Sequence, residues 1–98
     1  MKNIYLNIYK PNRSNLRKAK KIIENNNVIG LPTETVYGLA GNAYSNKAVK
    51  KIFKLKKRQH INPLIIHYKK LEDIRNDVIY NGSLLKLYKA FCPGPITF

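Results

Sequence analysis

Cysteine is almost absent. Cys92 is the single one in the chain, so no disulfide forms within it, and a reducing, cytoplasmic setting is the expectation. Long apolar runs are missing as well. No stretch approaches the roughly 18 consecutive apolar residues of a membrane span. The opening MKNIYLNIYK lacks the apolar segment of a secretion signal, so neither membrane insertion nor export is expected. Histidine is scarce: His60 and His67 have no metal-like spacing and no second cysteine beside them, which argues against a protein-held metal. No linker, internal repeat or low-complexity tail breaks the chain. The scarcest charge is negative, with 5 acidic residues against 19 Lys and Arg, a formal charge of +14.

What is present points to one compact domain. A chain of 98 residues with 44% hydrophobic content is long enough for one core and too short for two. The positive excess fits a polyanionic partner, either nucleotide phosphates or RNA. It fits a solvated lysine surface equally well, because Lys, Asn, Ile and Tyr all rise with AT-rich coding.

The patterning alternates between strand and helix periods. Ile4, Leu6 and Ile8 share one parity and predict a short strand, broken at Pro11-Asn12. Ser14 or Asn15 then caps a helix running to about Glu24, with Leu16, Ala19, Ile22 and Ile23 on one face and basic residues over the rest. Asn25-Asn26-Asn27 ends it, and Val28 to Leu31 reads as a buried strand. A second helix is predicted from Asn46 to Lys57, its apolar side made by Ala48, Val49, Ile52, Phe53 and Leu55. Pro63 to His67 predicts another strand, Leu71 to Arg75 a helical turn, and Ser83 to Phe91 a third helix. The last residues, Pro93 to Phe98, form a turn leading into an apolar segment. This reads as the beginning of a further strand and predicts an exposed edge or face where a missing C-terminal part would pair.

Two stretches carry more chemistry than their local structure requires. In GLPTETVYGL a strand ends at Leu31 and Pro32 fixes the backbone. Thr33, Glu34 and Thr35 then place hydroxyls and a carboxylate at the mouth of the next element. If that element is a helix, its first N–H groups favour carboxylates and phosphates; the ordinary alternative is a cap by Thr33 or Thr35. Gly38 and Gly41 allow close approach or unusual backbone angles. The second stretch is KLKKRQHINPLIIH. Arg58 offers a planar fork for phosphate oxygens and Lys56 a mobile charge. Asn62 has donors and an acceptor for a base or ribose edge, and His67 sits at a strand end.

Taken together, GLPTETVYGLAGNA, KLKKRQHINPLIIH and FCPGPITF resemble, in order and spacing, the YrdC-like family, the threonylcarbamoyl-AMP synthases. The resemblance runs from Val28 to Phe98, with Cys92 where the family commonly has an aromatic residue before PGP. It implies an α/β fold, a twisted mixed sheet with packed helices. It also implies that residues 1–98 are the N-terminal part of a single YrdC-like domain, since family domains run to about twice this length and their second half closes over the nucleotide.

The implied reaction joins L-threonine, bicarbonate and ATP into threonylcarbamoyl-AMP with release of pyrophosphate, for threonylcarbamoylation of tRNA adenosine. It uses no covalent protein nucleophile. Thr35 and His67 would contact L-threonine; Arg58, Asn62 and Lys56 would contact ATP; Mg²⁺ would accompany the triphosphate. These five residues are expected to converge on one cleft. The tRNA threonylcarbamoyl-transferase machinery would take the product. A catalytically silent module of the same fold, binding tRNA or other double-stranded RNA, is the alternative.

Overall fold

The computed structural model describes residues 7–98. It falls into two units, one ending at Leu64 and the other spanning Ile65–Phe98. Fourteen of the nineteen basic residues lie in the first, where only Glu24 and Glu34 oppose them. The strand expected over Ile4–Ile8 lies mostly outside the described residues; Ile8 itself is exposed and in no strand.

Helix α1 spans Arg13–Glu24. Its cap is Asn12 rather than Ser14 or Asn15, and the Asn12 side chain accepts the Asn15 N–H at 2.8 Å. Asn15 is spent instead on the preceding segment, donating to the Lys10 carbonyl at 2.9 Å. The helix is amphipathic as the spacing predicts, yet none of its residues is buried and Leu16 and Ile22 are exposed. Asn25 closes it by donating to the Lys21 carbonyl, and Asn26 takes a left-handed φ of 60°, a conformation Asn tolerates better than most residues.

The chain then forms an antiparallel hairpin, β1 (Ile29–Pro32) and β2 (Tyr37–Ala40), in the register Ile29 to Ala40 through Pro32 to Tyr37. Gly41 follows. A side chain there would put its Cβ 3.2 Å from the Ala48 Cβ and 3.3 Å from a Val28 methyl. The glycine therefore permits close approach, whereas Gly38 would meet only ordinary contact. Helix α2 spans Asn46–Lys56, capped by the Ser45 hydroxyl. It supplies the buried side chains of the described residues: Ala48, Ile52 and Phe53.

In the second unit, a 3-10 turn spans Leu71–Asn76 and α3 spans Gly82–Phe91, capped by the Asn81 side chain, which accepts from Ser83 and Leu84. None of the residues of α3 is buried.

The architecture is α/β with helices beside a sheet, as expected, but the sheet is narrower than the mixed one predicted. Among the described residues β1 and β2 pair only with each other. Neither Pro63–His67 nor Pro95–Phe98 forms a strand. An apolar run becomes a strand only when a neighbour takes its N–H and C=O groups, and among the described residues neither segment has such a neighbour. Their apolar side chains stay outside: Ile65, Ile66, Ile96 and Phe98 are all exposed.

Candidate functional site

The PTET segment is a hairpin turn, not a helix start, which corrects the strand-to-helix junction predicted there. The reason lies in Thr33. Its Oγ1 accepts the N–H of Thr35 at 3.3 Å and of Val36 at 3.2 Å, and donates to the Val36 carbonyl. The Thr33 N–H also donates to that carbonyl at 3.3 Å. One hydroxyl thus reverses the chain in the manner of Ser/Thr turns, and β2 begins at Tyr37. The correction matters chemically. The N–H groups of Thr35 and Val36, which a helix start would have offered to an anion, are already engaged. What the turn offers a ligand is the Thr35 hydroxyl, 3.5 Å from that of Thr33, and the Glu34 carboxylate. Thr35, Val36 and Tyr37 are all exposed.

The second stretch is built by the end of α2. Lys57 adopts a left-handed conformation with φ 49°. Its N–H donates to the Lys54 carbonyl at 3.2 Å, and the Arg58 N–H donates to the Phe53 carbonyl at 3.0 Å, a common way to satisfy the last helical carbonyls. The chain swings sharply and presents Arg58 as its first residue off the helix. A turn follows, closed by the Asn62 N–H donating to the Gln59 carbonyl at 3.0 Å. The Arg58 guanidinium spans it. Nε donates to the Asn62 carbonyl at 3.3 Å and Nη2 to the Pro63 carbonyl at 3.1 Å. With five N–H donors in a fixed fork, Arg58 keeps Nη1 and the rest of Nη2 for a ligand.

Lys56 ends α2, and Arg58 and Asn62 lie on the exposed turn that follows it, with Lys54 and Lys57 adding charge along the same stretch. Thr35 belongs to the same unit, on the hairpin turn, and His67 is an exposed residue of the other unit.

Because Lys57 has a side chain where glycine is favoured, Lys57→Gly is expected to stabilise the first unit by about 0.5–1 kcal/mol. Thermal melting checks it: the midpoint should rise by a few degrees.

One contact escaped the sequence. The His60 ring stacks on Phe53, with centroids 4.8 Å apart and planes inclined by 26°. Their spacing of seven residues is a helical one, but the helix ends at Lys56 and the left-handed Lys57 lies between them, so the contact is not made along a helix face.

The second unit has its own polar pairs. Tyr68 donates to Asp77 at 3.0 Å. Partial burial first, then the hydrogen bond to Asp77 and its negative charge, push the Tyr68 phenol above its ordinary range. Arg75 donates to the Tyr80 hydroxyl at 2.9 Å, an interaction that holds the guanidinium more firmly protonated. A shallow surface hollow of about 260 Å³ is lined by Ile79, Tyr80, Asn81 and Leu84, none of them a candidate site residue. Among the described residues no three His, Cys, Asp or Glu side chains group into a metal site. No helix is long and apolar enough to cross a membrane among those residues.

Comparison with known proteins places the chain in a family. The Sua5/YciO/YrdC family profile, described as telomere recombination, matches residues 21–98. A threonylcarbamoyl-AMP synthase of Pyrococcus abyssi is 41% identical over 85 residues, covering 84% of this chain and 24% of its own length. One of Bacillus subtilis is 39% identical over 89 residues, covering 88% and 25%. A relative in Methanocaldococcus jannaschii is 33% identical over 101 residues, covering 99% and 49%. The chain thus spans between about a quarter and a half of the length of these relatives. No solved structure gives a significant match.

Proposed function

The chain belongs to the Sua5/YciO/YrdC family, and from that premise we propose that it carries the substrate-binding N-terminal part of an L-threonylcarbamoyladenylate synthase. The observation that carries the reading is that relatives named threonylcarbamoyl-AMP synthase align across 84% and 88% of the chain, both motif stretches lying within the family match.

The reaction proposed is the condensation of L-threonine, bicarbonate and ATP. Threonine's amine captures carbon dioxide, drawn from bicarbonate with loss of water, and forms a carbamate. A carbamate oxygen then attacks the α-phosphorus, and the bond to the bridging oxygen breaks as pyrophosphate leaves. The side chains need supply no nucleophile; their part is positioning and charge. Arg58 supports this role because only Nε and one N–H of Nη2 are engaged by the turn it braces, which leaves further donors of the guanidinium for phosphate oxygens. Lys56 adds a mobile charge, and Asn62 an amide for the nucleoside. Thr35 and His67 are assigned to the threonine substrate.

Mg²⁺ belongs to this reading as a companion of the triphosphate. Residues 56–62 offer cations and amides rather than carboxylates, a donor set that does not fit a protein-held divalent ion. The product would pass to a tRNA-modifying transfer step in the cytoplasm.

Calorimetric titration of ATP and of L-threonine into the purified chain tests the assignment. Weak but saturable binding of either is the expected result, with little or no threonine- and bicarbonate-dependent pyrophosphate release. Absence of binding for both would overturn the substrate-binding assignment, and robust turnover by the chain alone would overturn its restriction to binding.

A further inference from the structure

We propose that His60 is a positioning residue for the triphosphate loop: stacked on the Phe53 ring, it ties the 58–62 turn to the buried side of α2 and so sets the direction of the Arg58 fork. The inference rests on the reading that Arg58 and Asn62 meet ATP.

The turn is otherwise held by its own members. Asn62 donates to Gln59, and Arg58 donates to the carbonyls of Asn62 and Pro63. Every one of these bonds lies in exposed chain, where water competes for donor and acceptor alike. Ile61, the apolar residue of the turn, is 84% exposed and anchors nothing. His60 is different. It lies midway between Arg58 and Asn62, and its ring rests on Phe53, which is only 9% exposed. At 4.8 Å and 26° the pair has the near-parallel arrangement of stacked aromatic rings.

The two attachments of the turn to α2 converge on one residue, because the Arg58 N–H also donates to the Phe53 carbonyl. Phe53 thus receives the loop at its beginning through the backbone and at its middle through His60. With both in place, the carbonyls of Asn62 and Pro63 stand where Nε and Nη2 reach them, and the guanidinium has one orientation. Without the stack the turn keeps only its first attachment, and Arg58 and Asn62 lose their fixed relation.

The test reads the fork itself. The Nε–Hε group of Arg58 is one of four such arginine groups in the chain, and its NMR resonance is assigned by its disappearance in Arg58→Lys. In the unaltered chain a resonance protected from solvent exchange is expected. His60→Ala should abolish that protection while far-UV circular dichroism stays unchanged, and His60→Phe, which restores a stacking ring, should retain it. ATP affinity measured by titration should fall on the order of 2- to 10-fold in His60→Ala, the size of one aromatic pair, and recover in His60→Phe.

Three results would overturn the proposal: no protected Arg58 resonance in the unaltered chain, protection that survives in His60→Ala, or a folded His60→Phe that behaves like His60→Ala. If the unaltered chain binds no ATP, the ATP reading fails by itself, and the resonance still decides whether His60 sets the fork.

Discussion

Arg58→Ala, introduced into this chain joined to the C-terminal portion of a relative, is expected to lower threonine- and bicarbonate-dependent pyrophosphate release by on the order of 10- to 100-fold, the equivalent of about 1.5–3 kcal/mol for a charge-assisted contact. Two losses add. The outer N–H groups no longer meet phosphate charge that shifts during displacement, which lowers kcat as well as ATP affinity. The inner donors no longer hold the Asn62 and Pro63 carbonyls, so Asn62 loses its placement too. Arg58→Lys separates the two. It keeps a positive charge but has neither the planar fork nor the Nε donor, so ATP affinity should recover in part while kcat stays low. Steady-state kinetics of the three proteins, with pyrophosphate as readout, decide the matter. Turnover unchanged in Arg58→Ala would remove its assigned role.

The helices were legible in the sequence because their signals are local. Apolar residues at helical spacing, with Asn or Ser before them, fix the position of α2 and α3 to within a residue and of α1 to within two or three. Strands are different, since a strand exists only with its partner. Ile29 to Pro32 found one in Tyr37 to Ala40, while Pro63 to His67 is just as apolar and found none among the described residues. The turn at Thr33 was misread for a related reason. A threonine before Glu-Thr-Val caps a helix or closes a hairpin with the same hydroxyl, and the choice depends on whether the following residues pair with the strand before. At the site, Arg58 and Asn62 were visible as residues. Their connection through the guanidinium, and the brace beneath it from His60, depend on a left-handed residue at Lys57 that no periodicity announces.

Phe53 is where core and loop meet, and its replacement should show the two functions separately. Phe53→Ala is expected to cost about 3 kcal/mol or more, the usual range for removing a buried aromatic side chain. A chain of 98 residues has on the order of 5–15 kcal/mol of total stability. With Ala48, Ile52 and Phe53 as the buried side chains among the described residues, this one belongs at the low end of that range. Phe53→Ala should therefore leave about 2 kcal/mol or less and lower the melting midpoint by more than about 10 °C. Phe53→Leu is the informative companion. Leucine keeps most of the apolar volume, at a cost of about 1.5 kcal/mol or less by analogy with other near-volume-conserving core changes, but it offers no ring face to His60. Helix α2 should persist in Phe53→Leu, with the melting midpoint lowered by several degrees. Protection of the Arg58 Nε–H should nevertheless be lost as it is in His60→Ala. If Phe53→Leu kept that protection, apolar bulk alone would suffice beneath the loop and the stack would have no positioning role. If Phe53→Ala melted like the unaltered chain, the buried side of α2 would not be the core that its burial describes.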